Sequence, residues 1–343
     1  MRELLNILYI TSNDTWLHKD GECVVVRVEG EPARKIPVEG VHGVVCLGRV
    51  SMSPQLMAHC ADHGVAVSYL TDSGRFLASV HGQTRGNVLL RRTQYRWADD
   101  PVRSAFIARC ILKAKLGNAR SVLRRAARET GKAETAQALS SAAESHGAAL
   151  TRLDRERGLD GLRGVEGEAG ATYWGVFGQL ITNDDPAFRF AGRNRRPPLD
   201  PVNCLLSFVY TLLAHDMRAA LEGVGLDPYV GFLHRDRPGR TSLAFDLMEE
   251  FRPPLADRLV LSLVNRRQVA PEGFKPQDGG GVIMDDATRK EVITAWQKRK
   301  RETMTHPFLK ETVAIGLLPH LQGLLLARHI RGDLDFYPAL VWG

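Results

Sequence analysis

"PVRSAFIARCILKAKLGNARSVLRRAARE", residues 101–129, is where the pattern of the chain changes. Its apolar residues recur at helical spacing, with Lys and Arg filling the intervals. Upstream the pattern is that of strands. "CVVVRVEG" from Cys23 and "GVHGVVCLG" from Gly40 are β-branched runs bounded by turn residues. "VAVSYLTDSGRFLASVHG", residues 65–82, predicts two strands about a turn at Asp72-Ser73-Gly74. One short helix interrupts them, with Ser53 as its N-cap, Pro54 at its first position and Gly64 as its stop. The opening "MRELLNILYITSND" has neither a long apolar centre nor a small-residue cleavage site, so it reads as a strand rather than a signal peptide.

Downstream the helical pattern persists. "AETAQALSSAAESHGAAL" (133–150) predicts a second helix and "LDRERGLDGLRGVEGEAGATYWGVFGQLI" (153–181) a third. "DPVNCLLSFVYTLLAHDMRAALEGVG" (200–225) is apolar nearly all round and predicts a buried helix, with Asp200 as cap and Pro201 first. Asn203 near that start suits a structural hydrogen bond to a neighbouring loop better than a phosphate contact. "TSLAFDLMEEFRPPLADRLVLSLVNR" (241–266) is helical with a break or kink at Pro253-Pro254. "APEGFKPQDGGG" (270–281) reads as a loop, and two further helical stretches, 285–304 and 309–332, close the chain. The fold class is therefore α+β: a β-rich N-terminal domain over 1–90, a linker at 91–100 and an all-α domain over 101–343. Sheet edges in the first domain invite pairing, so dimerisation is expected there.

The 343 residues allow a sizeable core, and no run of 18 apolar residues argues for a membrane span. Five scattered cysteines, without a C-x-x-C pair, point to a reducing cytoplasm and against a disulfide frame. The net charge of +7 is unevenly spread. Arg85–Arg128 holds 12 Lys/Arg against 2 Asp/Glu, four of the eight residues in "RFAGRNRR" (189–196) are Arg, and "KRKR" fills 298–301. Such blocks suit a phosphate backbone, and equally suit solvated helix faces.

Two stretches carry candidate chemistry. In "GFLHRDRPGRTSLAFDLMEEF" (231–251), Asp246, Glu249 and Glu250 share a helix face three and four positions apart. His234 lies one turn-containing loop upstream. One imidazole with carboxylates suits Mn²⁺ or Mg²⁺, while an acidic helix end paired with Arg235, Arg237, Arg240 or Arg252 suits the same residues. In "GLDGLRGVEGEAGATYW", glycine recurs at every third position from 158 to 170. Glycine costs about 1 kcal/mol in a helix relative to alanine, which suggests close backbone packing. Glu166 and Glu168 would point roughly 200° apart on such a helix. A loop with Glu166 exposed fits the local pattern equally well.

"LRGVEGEAGATYWG" (162–175), "RNRRPPLDPVNCLLSFVYTLL" (193–213) and "GFLHRDRPGRTSLAFDLMEEFRP" (231–253), in this order, resemble the CRISPR-associated protein one family. That family is the integrase and metal-dependent DNA endonuclease of CRISPR adaptation. The likeness spans essentially the whole chain, and the start and loop details point to its type I-C branch. It implies metal ligands, which are also the catalytic residues, at Glu166, His234 and Glu249, with Asp246 a supporting acid and Mn²⁺ or Mg²⁺ as the ion. It also implies DNA contacts from arginines, here Arg193, Arg195, Arg196, Arg235, Arg237 and Arg240. Implied partners are spacer-precursor and CRISPR-repeat DNA, a second copy in a homodimer, CRISPR-associated protein two and a CRISPR-associated protein four nuclease. The competing reading is a non-catalytic basic scaffold that binds DNA or RNA.

Overall fold

The structure is a computed structural model of the full chain, described over residues 7–41, 43–71, 76–80 and 88–342. It divides into two compact units, Met1–Gly86 and Asn87–Gly343. The turn expected at Asp72-Ser73-Gly74 lies outside the described residues.

The first unit contains two four-stranded sheets. One orders β1 (Ile7–Ile10), β5 (Gly43–Leu47), β7 (Ala66–Leu70) and β8 (Phe76–Val80), the first three parallel and β8 antiparallel. The other orders β4 (Arg34–Pro37), β3 (Cys23–Arg27), β2 (Thr15–Asp20) and β6 (Val50–Met52). Every residue of β5 is buried, as expected of a central strand covered on both faces. Helix α1 (Pro54–Asp62) starts as its sequence predicts: the Ser53 hydroxyl accepts from the Leu56 N–H at 3.2 Å, and Pro54 is first. Its Leu56 and Cys60 join Leu17, Val24, Val44, Cys46 and Val67 in one core. Strands β2 and β4 carry too many charged residues to be read from the sequence; pairing with β3 on either side makes them strands.

The second unit is dominated by helices. Residues 91–100, expected as a linker, instead belong to α2 (Val88–Asp99) and its end, so the boundary falls earlier. Gln94 is buried on α2, where its amide joins the backbone of Asp227 and Val230, and Asp100 ends the segment by capping α3 (Pro101–Glu129). Helices α3, α4 (Ala133–Arg155) and α5 (Leu159–Phe177) pack through Ala105, Ala108, Leu112, Leu116, Ala149, Leu153, Leu162 and Val165. The α3 members of this core are three and four positions apart, the spacing that marks one helix face.

Helix α6 (Pro201–Val224) is capped as predicted, with Asp200 Oδ1 accepting from the Asn203 N–H at 2.8 Å. It is long and apolar enough to cross a membrane by length and composition, yet two thirds of its apolar window (67%) is buried inside the protein, as for a core helix. It ends at Gly225, whose φ of +86° is left-handed backbone that favours glycine.

After α7 (Ser242–Met248) the chain turns through Glu249–Phe251 into a π-helical segment at Arg252–Asp257, then α8 (Arg258–Asn265). Pro253 and Pro254 have no N–H, so the α-helical ladder cannot run through them, and the N–H groups of Leu255 and Ala256 both reach the Phe251 carbonyl. The stretch 270–281, expected as a loop, contains β9 (Phe274–Pro276), which pairs with β10 (Val282–Met284). Helix α9 (Asp286–Arg301) follows. The last expected helix begins late: 309–317 contains β12 (Thr312–Ala314), paired with β11 (Thr303–Thr305), and α10 spans Leu318–Arg331. Both short hairpins hold only three residues per strand, too few for an alternation to show.

Candidate active site

Glu166 lies on α5, which is helical throughout 159–177; the loop alternative does not occur. Glu166 is half-buried and Glu168 exposed, consistent with their divergence on a helix. The close backbone packing expected from the glycines is absent: a Cβ on Gly164, Gly167 or Gly170 would meet nothing, and one on Gly161 only the Glu156 side chain.

The carboxylates of Glu166 and Glu249 share one cation. Lys115, on the α3 face beside the packed seam, places its ammonium against Glu166 Oε1 and 2.8 Å from Glu249 Oε2. Glu249 is buried, and its other oxygen meets an Arg252 guanidinium nitrogen at 2.5 Å. Burial alone would push the Glu249 carboxyl up; Arg252, Lys115 and His234 overcome it and bring it down to about 2. Burial opposes the Lys115 ammonium as well, and Glu249 and Glu166 reverse that to raise its pKa. Glu249 Oε2 is nonetheless a buried atom without hydrogen-bond geometry; the Lys115 contact is an ion pair of poor angle, which leaves this oxygen suited to a second cation.

His234 is fixed through Asp246. The Asp246 carboxylate, fully buried on α7, accepts the backbone N–H groups of Phe232, Leu233 and His234 at 2.6, 2.9 and 3.0 Å. It also takes His234 Nδ1 at 2.6 Å. That bond orients the ring and leaves Nε2 as the nitrogen with a free lone pair. Only glycine fits at 231, because a Cβ there would lie 2.8 Å from Asp246 Oδ2 and from the Ser242 backbone. From the other side, Arg163 on α5 donates twice to the Leu233 carbonyl, at 2.9 and 2.6 Å. The loop carrying His234 is thereby tied to the helix of Glu166 and to that of Asp246.

Behind Glu249 a second polar layer is buried. The Arg252 guanidinium lies 4.8 Å over the Tyr210 ring. Tyr210 and Tyr173 hydroxyls donate to Asp257 at 2.6 and 3.0 Å, and burial pushes Asp257 up to about 6. A cavity of about 60 Å³ borders this layer, lined in part by Lys115, Glu166, Arg195 and Arg252.

Glu250, grouped by its spacing with Asp246 and Glu249, faces elsewhere. It accepts from Gln322 Nε2 (2.9 Å), the Tyr337 hydroxyl (2.7 Å) and the Leu340 N–H (2.6 Å). Neighbouring residues on a helical turn diverge by about 100°, and the turn after α7 sends Glu249 and Glu250 to different surroundings.

The arginines separate likewise. Arg195, Arg196, Arg235 and Arg237 are exposed, with Arg235 paired to Asp160 at 3.0 Å. Arg240 is half-buried over Phe245. Arg193 is turned inward, donating to Asn203 Oδ1 at 2.7 Å and the Ser207 hydroxyl at 3.2 Å, and burial lowers it to about 10. Asn203 itself holds the adjoining loop through the Gly192 carbonyl. Within "KRKR", Lys300 is buried on Asp216 at 2.8 Å. The arginine pairing expected at the acidic helix end is made by Arg252 with Glu249, whereas Lys115 and Arg163 escaped the sequence reading. Their only signal was a basic residue set within or beside an apolar periodicity.

Among the described residues, the His/Cys/Asp/Glu group whose ligand atoms all lie within 4.8 Å of one another is Glu22, His59 and His63, in the first unit. The Glu166, His234 and Glu249 set is wider, with Lys115 between its carboxylates.

The family model for CRISPR associated protein Cas1 matches residues 8–298. A relative from Chlorobaculum tepidum, a CRISPR-associated endonuclease Cas1, is 51% identical over 342 residues, covering 100% of both chains. One from Geobacter sulfurreducens, a CRISPR-associated exonuclease Cas4/endonuclease Cas1 fusion, is 34% identical over 97% of this chain and 60% of its own length. In fold, a CAS1 protein from Thermotoga maritima is similar with a TM-score of 0.84 at 23% identity, over 96% of this chain and 99% of the other. With a family model over most of its length and half its residues shared with a full-length relative, the chain belongs to the CRISPR associated protein Cas1 family.

Proposed function

We propose that the chain is a metal-dependent DNA endonuclease and integrase that inserts new spacers into a CRISPR array. The observation that carries this is the placement of Glu166 and Glu249, from separate elements, around one cationic position, with Asp246 fixing His234 within electrostatic reach of Glu249. Two carboxylates and an imidazole are a donor set for a hard divalent ion. The buried Glu249 oxygen without a hydrogen bond fits such an ion. Glu166, His234 and Glu249 would hold Mn²⁺ or Mg²⁺, and when bound it would supply charge stabilisation at a phosphodiester.

The protein's own groups prepare that chemistry. Arg252 and Lys115 keep Glu249 ionised far below neutral pH. Asp246 keeps the His234 proton on Nδ1, so Nε2 offers a lone pair. Lys115 offsets the repulsion between the two glutamates. In integration the 3′-hydroxyl of incoming DNA forms a bond to phosphorus while an oxygen of the repeat strand leaves; in hydrolysis water takes the place of that hydroxyl. Exposed Arg195, Arg196, Arg235 and Arg237 suit phosphate contacts that position DNA without reading bases. Arg240 would assist from the loop edge. Arg193 would contribute by bracing the loop that presents Arg195 and Arg196.

The first unit would pair two copies into a homodimer. By family resemblance the assembly would include Cas2. The Geobacter sulfurreducens relative, in which Cas4 and Cas1 are one chain, supports a Cas4 nuclease as a further partner. The type I-C branch rests on the resemblance alone. Five cysteines, all free, fit a cytoplasmic location.

The test replaces Glu166, His234 and Glu249 by alanine and measures strand joining with Mn²⁺. Loss in all three is expected. Full activity in all three would leave a non-catalytic DNA-binding scaffold as the reading.

A further inference from the structure

The first unit holds a second histidine–carboxylate cluster, remote in sequence from Glu166, His234 and Glu249. His59 and His63 lie four residues apart at the end of α1, so they share a helix face. Glu22 comes from the turn between β2 and β3. One nitrogen of each ring and one Glu22 oxygen lie within 4.8 Å of one another.

Three details fit a bound cation better than a chance meeting. His59 is 8% exposed, and its Nε2 is buried without a hydrogen bond although Glu22 Oε2 is 3.3 Å away. A buried polar atom lacking a partner is costly, and a metal would satisfy it. His63 Nδ1 lies 2.9 Å from the His59 carbonyl, which fixes its proton there and leaves Nε2 as a lone pair 3.8 Å from the same Glu22 oxygen. The spacing is near that of a zinc site. Bonds of about 2.0–2.1 Å at tetrahedral angles put ligand atoms about 3.3–3.4 Å apart; the His59–Glu22 distance is 3.3 Å and the His63–Glu22 distance 3.8 Å.

We infer that Glu22, His59 and His63 form a zinc site that ties the β2–β3 turn to the end of α1. Two imidazoles and one carboxylate in this arrangement suit Zn²⁺ rather than Mg²⁺, which takes oxygen ligands and retains water. The fourth position would be solvent, since Glu22 and His63 are exposed. Closing the turn onto the helix would stabilise the first unit.

The full chain is stripped of metal with chelator and titrated with Zn²⁺ alone, while bound zinc per chain and the thermal midpoint are followed. His63→Ala and Glu22→Gln alter exposed side chains and spare the core. The wild type should bind one more equivalent of Zn²⁺ than either variant, and only the wild type should gain a few degrees in midpoint from that equivalent. Glu166→Gln should keep the equivalent, so failure of the proposed active site is distinguishable from failure here. Equal zinc content in wild type, His63→Ala and Glu22→Gln, or uptake only at millimolar zinc, would mean an adventitious ion only and would overturn the assignment.

Discussion

Glu249 and Glu250 are consecutive and both buried, yet they enter two regions that treat a carboxylate in opposite ways. Glu249 enters a region of cations, where Arg252 and Lys115 outweigh burial and the carboxyl falls to about 2. Glu250 enters the region between α10 and the chain's last residues, where its partners are neutral: Gln322, Tyr337 and the Leu340 amide. There burial prevails over those hydrogen bonds, and the carboxyl rises to about 7. The difference teaches that like residues at like depth serve unlike ends. A carboxylate surrounded by cations is held charged. One surrounded by neutral donors ties segments together.

The sharpest break of that contrast is at Glu249. Glu249→Gln keeps the shape and removes the charge, and strand joining with Mn²⁺ is expected to fall on the order of 10³-fold. Glu250→Gln should leave the rate of the folded protein near wild type, so equal losses in the two variants would erase the distinction. Next comes Asp246→Asn. It no longer holds the His234 proton on Nδ1 by charge, and the expected loss is about 10–100-fold with a weakened dependence on added metal. A crystallographic His234 ring unmoved, with full activity, would remove Asp246 from the positioning role.

The third prediction concerns stability and pH. Glu250 has its folded pKa raised from 4.5 to about 7, so the folded state binds the extra proton. Its contribution is fully present below about pH 4.5 and is lost as pH rises through about 7. Glu249 has the opposite sign: its contribution is present above pH 4.5 and lost as pH falls towards 2. Glu250→Gln should therefore flatten denaturant-measured stability between pH 4.5 and 7, with the acid side unchanged. Glu250→Ala, which strands three donors, should cost about 3 kcal/mol. The smallest effect is expected at the surface: Arg195→Ala should weaken DNA binding about uniformly across sequences and lower the salt slope by about 1. Arg193→Ala should instead lower thermal stability, because its donors are already engaged by Asn203 and Ser207.

Much of this was legible beforehand. Local rules sufficed for the Ser53 and Asp200 caps, the buried α6 and the long α3, because caps and periodicity are properties of a few adjacent residues. The short strands β9 to β12 were not legible, nor was helix α2 across the expected linker. Pairing partners and buried polar anchors such as Gln94 make those elements, and neither is visible in a window of sequence. The glycine rhythm on α5 suggested a close backbone approach that Gly164, Gly167 and Gly170 do not make. A spacing rule says which residues share a face, not what that face meets.

The sequence by itself determined the division into a strand-rich and a helix-rich unit and, through its ordered blocks, the family; the same blocks are the source of the proposal for Glu166, His234 and Glu249. The tertiary structure alone decided that Lys115 stands between two of them and that Asp246 orients the third. It also separated Glu250 from Glu249 and turned Arg193 inward. These are outcomes of burial and charge between elements far apart in the chain. Their energies depend on distance and desolvation in three dimensions, which residue order does not encode locally.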